Sequence, residues 1–304
     1  MFSELEIIAN DNNYTGEGPV WDSLEDRLIW VDIDNSLVYQ FSVLKSIKKI
    51  ISRDLAVSSV ALNHDGGLIF AGEKGLFLWH NKDNYKAIVT EYDGELLCFN
   101  DMITGPKGRI YAGTMYWGAN GLEKTGRLYL IDTDCSIRIL DENIELSNGL
   151  AFSPDNRVLY YTDSAKRRIY AYDADEKTGD LSNKRILVEV PGNEGIPDGL
   201  TVDARGYLWS AQWYGSQVVC YDTNGKVRQR IAMPVKQVSS VIFGGANLNE
   251  LYITTAGEYW NSDLTPPGFD STAPMGGQLY RILLDVQGRP EHVANLNPSN
   301  SEVL

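Results

Sequence analysis

The feature that most constrains the fold of this 304-residue chain is a short pattern that returns six times. Each copy opens on a small or polar residue, enters an apolar strand, turns at Gly, Asp or Asn, and continues into a second strand rich in Tyr, Trp and Leu. Successive copies start 41, 42, 48, 50 and 41 residues apart, at Glu17, Ser58, Asn100, Asn148, Asp198 and Ser239. Repeats of about 40 to 50 residues with several short strands are typical of propeller blades. The sequence therefore predicts an all-β, six-bladed β-propeller.

Second and third strands are the clearest local features of each repeat, because they are rich in the β-branched and aromatic residues that suit a pleated, half-buried surface. The predicted second strands are 27–32, 68–71, 109–113, 158–163, 207–211 and 250–255. The predicted third strands are 37–41, 75–79, 126–131, 168–172, 217–221 and 278–282. We expect residues 1–304 to form a single domain, in which an N-terminal strand around residues 5–9 completes the last blade. Such closure removes exposed sheet edges.

The charge balance narrows the range of partners. The chain carries 27 Lys and Arg against 41 Asp and Glu, a net charge of −14. Nucleic acids and anionic membrane surfaces would be repelled, so neither is expected as a partner. We expect a small-molecule ligand and a monomer or weak homo-oligomer.

Cysteine usage and the N-terminus both favour a cytoplasmic protein. Cys98, Cys135 and Cys220 are odd in number and far apart, with no CxxC pair, as expected of reduced thiols rather than a disulfide framework. The first ten residues lack the basic and long apolar regions of a signal peptide. No apolar run approaches the roughly 20 residues needed to span a bilayer.

Two long insertions, residues 116–124 and 258–277, lie between the second and third strands of their repeats and interrupt the regular spacing. In a propeller such loops project from the face that carries the site. Long loops on a rigid scaffold often set specificity, although tolerated surface insertions remain the alternative.

The blade-opening residues predict a metal site. Equivalent positions of a radial repeat lie at equivalent places around one axis, so Glu17, Asn100, Asn148 and Asp198 should converge at one mouth of the central channel. Two crowded carboxylates repel each other unless a positive charge lies between them. A divalent cation would neutralise both, with the Asn148 amide oxygen as a neutral ligand. Oxygen ligands suit calcium, which we favour, or magnesium and manganese; zinc remains open, although the set contains no His or Cys.

Each of these residues also has a simpler interpretation. Asn148 lies in Ser-Asn-Gly and Asp198 in Pro-Asp-Gly, both good turn formers. Ser58 and Ser239 need only be small. It is the combination of Asn148 and Asp198 with Glu17 at matching repeat positions that favours a shared ion.

Five motifs resemble those of the regucalcin, gluconolactonase and luciferin-regenerating-enzyme family. They are GEGPVW at 16–21, FND at 99–101, RIYAGTM at 109–115, SNGLAFSPD at 147–155 and IPDGL at 196–200. The resemblance implies a six-bladed propeller that hydrolyses lactones with a bound metal. It also implies Glu17, Asn148 and Asp198 as metal ligands, and Asn100 as an asparagine close to substrate and metal.

The chain departs from the sugar-lactonase pattern at three positions. Cys98 stands where regucalcin-like members have an arginine that binds substrate hydroxyls, and Tyr116 and Trp117 stand where a glutamate helps to bind the sugar. We expect Cys98, Tyr116 and Trp117 to contact substrate in a less polar pocket.

The leading hypothesis is hydrolysis of a sugar-derived (aldono-type) or related lactone. The metal would polarise the carbonyl, Asp198 would activate water by accepting its proton, and Asn100 would orient the reactants. One alternative is a phosphotriester or fluorophosphate hydrolase using the same ion. Another is a non-enzymatic calcium-binding or protein-binding propeller.

Other catalytic residues are less well supported by the sequence. A thiol nucleophile at Cys98 lacks a visible histidine to activate it, which favours a small pocket-lining role. His64, His80 and His292 show no metal-ligand spacing and are expected to be non-catalytic.

Overall fold

The computed structural model describes residues 4–118 and 120–298, and its blades are six four-stranded antiparallel sheets. The innermost strands contact one another in chain order, and the first contacts the last, so the sheets form a closed ring. The prediction of an all-β, six-bladed propeller is confirmed. The helical element within the described ranges is a single 3-10 turn, Pro106–Gly108.

The strands are numbered along the chain. Those up to the third blade are β1 (Glu6–Asn10), β2 (Gly16–Asp22), β3 (Arg27–Asp32), β4 (Leu37–Ser42), β5 (Ile47–Ser52), β6 (Ser59–Leu62), β7 (Leu68–Gly72), β8 (Gly75–Asn81), β9 (Asn84–Val89), β10 (Glu91–Tyr92), β11 (Glu95–Leu96), β12 (Phe99–Thr104), β13 (Ile110–Thr114), β14 (Tyr116–Gly118), β15 (Gly121–Lys124), β16 (Gly126–Ile131) and β17 (Ile137–Ile144). The remainder are β18 (Ser147–Phe152), β19 (Val158–Asp163), β20 (Arg168–Ala174), β21 (Leu181–Glu189), β22 (Ile196–Val202), β23 (Leu208–Trp213), β24 (Gln217–Tyr221), β25 (Val227–Ala232), β26 (Val238–Gly244), β27 (Glu250–Thr255) and β28 (Gln278–Leu283).

Blades 1 to 6, from the inner to the outer strand, are β2-β3-β4-β5, β6-β7-β8-β9, β12-β13-β16-β17, β18-β19-β20-β21, β22-β23-β24-β25 and β26-β27-β28-β1. Two small hairpins, β10-β11 and β14-β15, lie outside the blades. The second and third strands agree with the sequence prediction to within two residues at either end.

The chain itself closes the ring, because β1 is the outer strand of blade 6. It pairs antiparallel with β28, with Ile7 opposite Tyr280 and Ala9 opposite Leu279. An ion pair between Glu6 and Arg281 spans the same edge. This pairing covers the backbone groups that an edge strand would otherwise expose.

The core lies in layers between neighbouring blades. One apolar cluster joins blades 5 and 6, where the Trp209 and Phe243 rings meet edge to face at 5.9 Å. Within blade 1, Trp30 is fully buried and stacks on Tyr39 at 5.0 Å. Second strands such as β3 (RLIWVD) and β7 (LIFAG) are buried on both faces, so they are nearly continuous apolar runs rather than alternating ones.

The end of the channel opposite the blade openings is covered by a C-terminal segment. Ala294 forms a parallel bridge with Asn63 of blade 2, and Asn295 N–H donates to the Gly108 carbonyl of blade 3. Arg289 donates to the Ser153 carbonyl of blade 4. The segment therefore ties three blades together. No helix within the described residues is long and apolar enough to cross a membrane.

Deleting residues 1–10 should destabilise the fold, because β28 would lose its outer partner. We expect the melting temperature to fall by roughly 5 °C, equivalent to about 2 kcal/mol in a chain of this size. We also expect the open edge to promote self-association. Calorimetry and size-exclusion chromatography measure both effects. Ile7→Ala, which removes a side chain that is 56% exposed, is the control and should leave both unchanged. An unaltered melting temperature in the truncated chain would contradict this role of β1.

Candidate active site

Irregular pairing at the start of the inner strands positions the candidate ligands. The register shifts between Glu17 and Val20, and equivalent shifts occur at the same end of β12, β18, β22 and β26. Such bulges leave residues without a direct partner across the sheet and re-aim their side chains. Asn100, Asn148 and Asp198 lie within these irregular steps.

Glycines after two of these residues allow the inner strands to come close together. A Cβ on Gly149 would lie 2.6 Å from the Asp198 carbonyl oxygen, and one on Gly199 would lie 2.0 Å from the Ser240 hydroxyl. Any larger residue would therefore push neighbouring blades apart at the axis. The Asn-Gly and Asp-Gly pairs, which the sequence also allows as turns, belong to strands here.

The four predicted residues share one cavity. Glu17, Asn100, Asn148 and Asp198 all line a space of about 340 Å³ at the blade-opening mouth of the channel. The other lining residues are Tyr14, Thr15, Ile33, Asp34, Ser58, Asp101, Met115, Leu146, Ile196, Trp213, Glu258, Tyr259 and Trp260. Five of the lining residues are acidic, and none of the described lining residues is Lys, Arg or His.

Without a cation, the ionised forms of the two candidate carboxylate ligands, Glu17 and Asp198, are destabilised. Desolvation, reinforced by the charge of Asp101, raises the pKa of Glu17 to about 8. Asp198 is 4% exposed, and desolvation together with the charges of Glu17 and Asp101 raises its pKa well above the usual range. Carboxylates that disturb each other in this way lie close together and lack a compensating positive charge.

Asp101 is a third acidic residue of the site that the sequence argument missed. Desolvation raises its pKa to about 6, although its Oδ1 accepts hydrogen bonds from Ser59 Oγ at 2.9 Å and Met102 N–H at 2.8 Å. It directly follows a blade-opening residue, and in a regular strand the two would point to opposite faces. The bulge brings both to the cavity.

Hydrogen bonds fix the two asparagines. Asn100 Nδ2 donates to Asn148 Oδ1 and to the Ser147 carbonyl, both at 2.7 Å. Asn148 Nδ2 donates to Ser164 Oγ at 2.8 Å, and this hydroxyl in turn donates to the Pro197 carbonyl. The Asn148 amide oxygen is therefore held on the side of Asn100.

The donor set fits a hard divalent cation. It offers carboxylate oxygens from Glu17 and Asp198 and an amide oxygen from Asn148, the ligand types that calcium and magnesium prefer. The raised pKa values show that a positive charge is what this cluster lacks. Within residues 4–118 and 120–298, no group of three or more His, Cys, Asp and Glu side chains is arranged to hold a metal ion. The candidate set differs from such a group in using an amide.

Cys98, Tyr116 and Trp117 lie outside the set of residues that line the cavity. Desolvation, with a contribution from the charge of Glu73, raises the pKa of the Cys98 thiol to about 11, so it is protonated at neutral pH and a weak nucleophile. The Tyr116 hydroxyl donates to the Leu96 carbonyl at 3.0 Å. Trp117 contacts Trp260, which does line the cavity. Their predicted contacts with substrate stay predictions.

The three histidines lie away from the cavity. His80 contacts Asp65 at 3.1 Å on the surface of blade 2, and His292 contacts Asn156 at 3.0 Å at the opposite end of the channel. His64 N–H donates to the carbonyl of Ala294. None of them is placed to act on a ligand bound at Glu17 and Asp198.

The cavity also has an aromatic wall that the sequence argument did not specify. Trp213 at the end of β23 and Tyr259 and Trp260 from the second insertion line the cavity. Tyr214 stacks on Trp260, with ring centroids 6.4 Å apart and planes inclined by 11°. The insertion at 258–277 is therefore part of the site.

Comparison with known proteins identifies the family. A family model described as SMP-30/Gluconolactonase/LRE-like region matches residues 15–257. Pentonolactonase XacC from Haloferax volcanii is 35% identical over 276 residues, which cover 91% of this chain and 93% of that protein. The chain belongs to the SMP-30/gluconolactonase/LRE-like family, as its motifs predicted.

Solved structures agree with this assignment. A luciferin-regenerating enzyme superposes with a TM-score of 0.88 at 31% identity, covering 96% of this chain and 99% of that one. A calcium-binding protein, regucalcin from Agrobacterium tumefaciens, superposes with a TM-score of 0.83 at 25% identity, covering 96% and 97%.

The raised pKa of Glu17 predicts a pH-dependent stability when divalent cations are removed by a chelator. Its pKa of about 8 in the folded state lies above its ordinary value of 4.5, so protonation favours folding. The stabilising contribution is complete below about pH 4.5 and is lost as the pH rises through 8. We therefore expect Glu17→Gln to gain stability relative to the parent as the pH increases from 5 to 8.

Urea unfolding at a series of pH values in chelator measures this difference. Glu91→Gln, which changes an exposed carboxylate outside the blades, is the matched control and should give a constant difference. A Glu17→Gln curve parallel to that of the parent would contradict the electrostatic account of the cavity.

Proposed function

We propose that the chain is a metal-dependent hydrolase that opens a sugar-derived, aldono-type or related lactone to the hydroxy acid. The observation that carries the proposal is the meeting of Glu17, Asn148 and Asp198 in one acidic cavity that lacks a cationic side chain among its described lining residues. Membership of a family that includes pentonolactonase XacC supports a lactone as the substrate.

Glu17, Asn148 and Asp198 would hold one divalent cation. When bound, the cation would polarise the lactone carbonyl and keep both carboxylates ionised. Calcium is the favoured ion because all ligands are oxygens and because a structurally similar regucalcin is a calcium-binding protein. Magnesium, manganese and zinc are the alternatives.

Asp198 is the proposed general base. Its carboxylate lies at the cavity wall beside Glu17, and the bound cation would keep it in the ionised form that accepts a proton. It would accept the proton of the water that attacks the lactone carbonyl carbon, and would pass this proton to the ring oxygen as the bond between that oxygen and the carbonyl carbon breaks. The ring oxygen becomes the new hydroxyl group, and the carboxylic acid formed at the carbonyl carbon loses its proton to solvent.

The remaining lining residues bind and orient the substrate. Asn100 is fixed by two hydrogen bonds, so its amide has a defined position beside Asn148 for contacting substrate hydroxyls or water. Trp213, Tyr259 and Trp260 offer ring faces and exclude water from the opposite side. Cys98, Tyr116 and Trp117 would also contact the substrate.

Replacing Asp198 by Asn should abolish most of the turnover, because the amide cannot accept the proton. We expect kcat to fall by about 100-fold or more, the usual contribution of a positioned base. An indicator assay of acid release from a panel of sugar lactones, with calcium, magnesium, manganese or zinc added, measures this. Asp155→Asn, in a turn distant from the cavity, is the control. Undiminished metal-dependent turnover in Asp198→Asn would refute its role as base.

Replacing Glu17 by Gln should weaken cation binding, because the site loses one of its two charged ligands. We expect the calcium affinity to fall by about tenfold or more, since even residues that only support metal ligands cost this much. Titration calorimetry of the metal-free protein with calcium measures the affinity directly, without any substrate. The same control, Asp155→Asn, should bind calcium as the parent does, and equal affinities for all three proteins would contradict the assigned ligand set.

The aromatic wall keeps a second candidate function open, hydrolysis of an apolar phosphotriester or fluorophosphate by the same site. Trp213, Tyr259 and Trp260 would suit its apolar groups. Turnover of a phosphotriester above that of every lactone would favour this candidate. Calcium binding with no turnover of either class would favour a non-enzymatic calcium-binding propeller.

A further inference from the structure

Two insertions from opposite sides of the ring meet. Trp117 lies on β14, which follows the second strand of blade 3, and Trp260 lies in the insertion of blade 6. Two blades separate these positions in either direction around the ring. Their indole rings nevertheless meet edge to face, with centroids 5.7 Å apart and planes inclined by 70°. A contact between opposite blades has to cross the axis.

This contact lies on the face of the propeller that carries the cavity. Trp117 follows Thr114, which pairs with Phe99 at the start of β12, beside Asn100. The blade 6 insertion follows Thr255, which pairs with Val238 at the start of β26. Trp260 itself lines the cavity and meets Trp213 edge to face at 6.3 Å. Trp213, Trp260 and Trp117 therefore form a chain of ring contacts, here called the arch, which begins at the cavity wall and crosses the axis.

The Trp260 side of this arch is firmly held. The backbone N–H of Trp260 donates to Gln237 Oε1 at 3.1 Å, and the backbone carbonyl of Trp260 accepts a hydrogen bond from the Tyr214 hydroxyl. Gln237 is fully buried, and its Nε2 also donates to the Glu258 carbonyl. Arg167 of blade 4 donates to the Leu264 carbonyl and so anchors the insertion further along. Because these bonds use backbone groups of the insertion, they do not depend on the indole.

The Trp117 side is held at the base of its hairpin. The Tyr116 hydroxyl donates to the Leu96 carbonyl, and the Lys124 ammonium lies 4.0 Å from the centre of the Tyr116 ring. Lys124 also pairs with Glu95 at 3.4 Å. These contacts tie β14-β15 to the neighbouring hairpin β10-β11.

We propose that Trp117 and Trp260 roof the cavity and restrict the enzyme to lactones of a single sugar unit, excluding those that carry a second sugar. This inference rests on the proposed lactonase function. The cavity of about 340 Å³ lies near the lower end of the ~300–1,000 Å³ range of small-molecule sites. A substituent that projects along the axis from a ring bound at Asp198 would meet the indole pair.

Truncating the roof should relax this size limit. The experiment compares kcat/KM for a monosaccharide aldonolactone and for the aldonolactone of a disaccharide, in the parent, Trp117→Ala and Trp117→Phe. We expect Trp117→Ala to raise the ratio of large to small substrate by about tenfold or more, a typical steric discrimination. Trp117→Phe keeps an aromatic ring at this position and should remain within a few-fold of the parent.

Trp260→Ala should shift the ratio in the same direction, and Tyr85→Ala, on the outer strand of blade 2, should not shift it. Thermal melts show that each variant is folded. A weaker tryptophan exciton signal in the circular dichroism of Trp117→Ala, which keeps the Trp213–Trp260 pair, reports on the Trp117–Trp260 contact. A parent enzyme that opens both lactones equally well, or a ratio unchanged in both Trp→Ala variants, would overturn the size limit alone. Absence of turnover of both lactones by every variant would overturn the lactonase proposal, and the size limit with it.

Discussion

The concentration of negative charge at the axis is the constraint on which the rest of the structure depends. Desolvation and the charge of Asp101 raise the pKa of Glu17, and desolvation with the charges of Glu17 and Asp101 raises the pKa of Asp198. No described lining residue supplies a positive charge. Such an arrangement costs stability in the folded state. The apolar layers between blades, with fully buried side chains such as Trp30, provide the stability that offsets this cost. A bound divalent cation would turn the same charges into a favourable interaction.

Periodicity allowed much of the fold and part of the site to be predicted from the sequence. A radial repeat fixes where each blade opening lies relative to the axis, so Glu17, Asn148 and Asp198 could be brought together without knowledge of any distance. Asp101 could not, because strand alternation places the residue after a blade opening on the other face. The bulge in β12 reverses that expectation. Bulges have no reliable sequence pattern, since they depend on how neighbouring blades pack.

The insertions were harder to predict for a different reason. Outside the repeat, the sequence gives no information on where a side chain ends up, and the position of Trp117 after the Gly-Thr-Met motif suggested direct contact with a substrate. The structure shows that its indole contacts Trp260, on the opposite blade, and its contact with a substrate stays a prediction. The repeat thus supplies Glu17, Asn148 and Asp198, and the insertions supply Trp117, Tyr259 and Trp260.

The acidic residues and the aromatic wall would also have different effects on product release. Hydrolysis of a lactone would turn a neutral substrate into a carboxylate and place a new negative charge in a cavity lined by five acidic residues. Like charges in a partly desolvated space repel strongly. Since the described lining residues offer no Lys, Arg or His to retain the product, its only strong attraction would be to the cation itself. An acidic cavity therefore favours departure of the hydroxy acid, while the aromatic wall, which carries no charge, contributes to the binding of the neutral substrate.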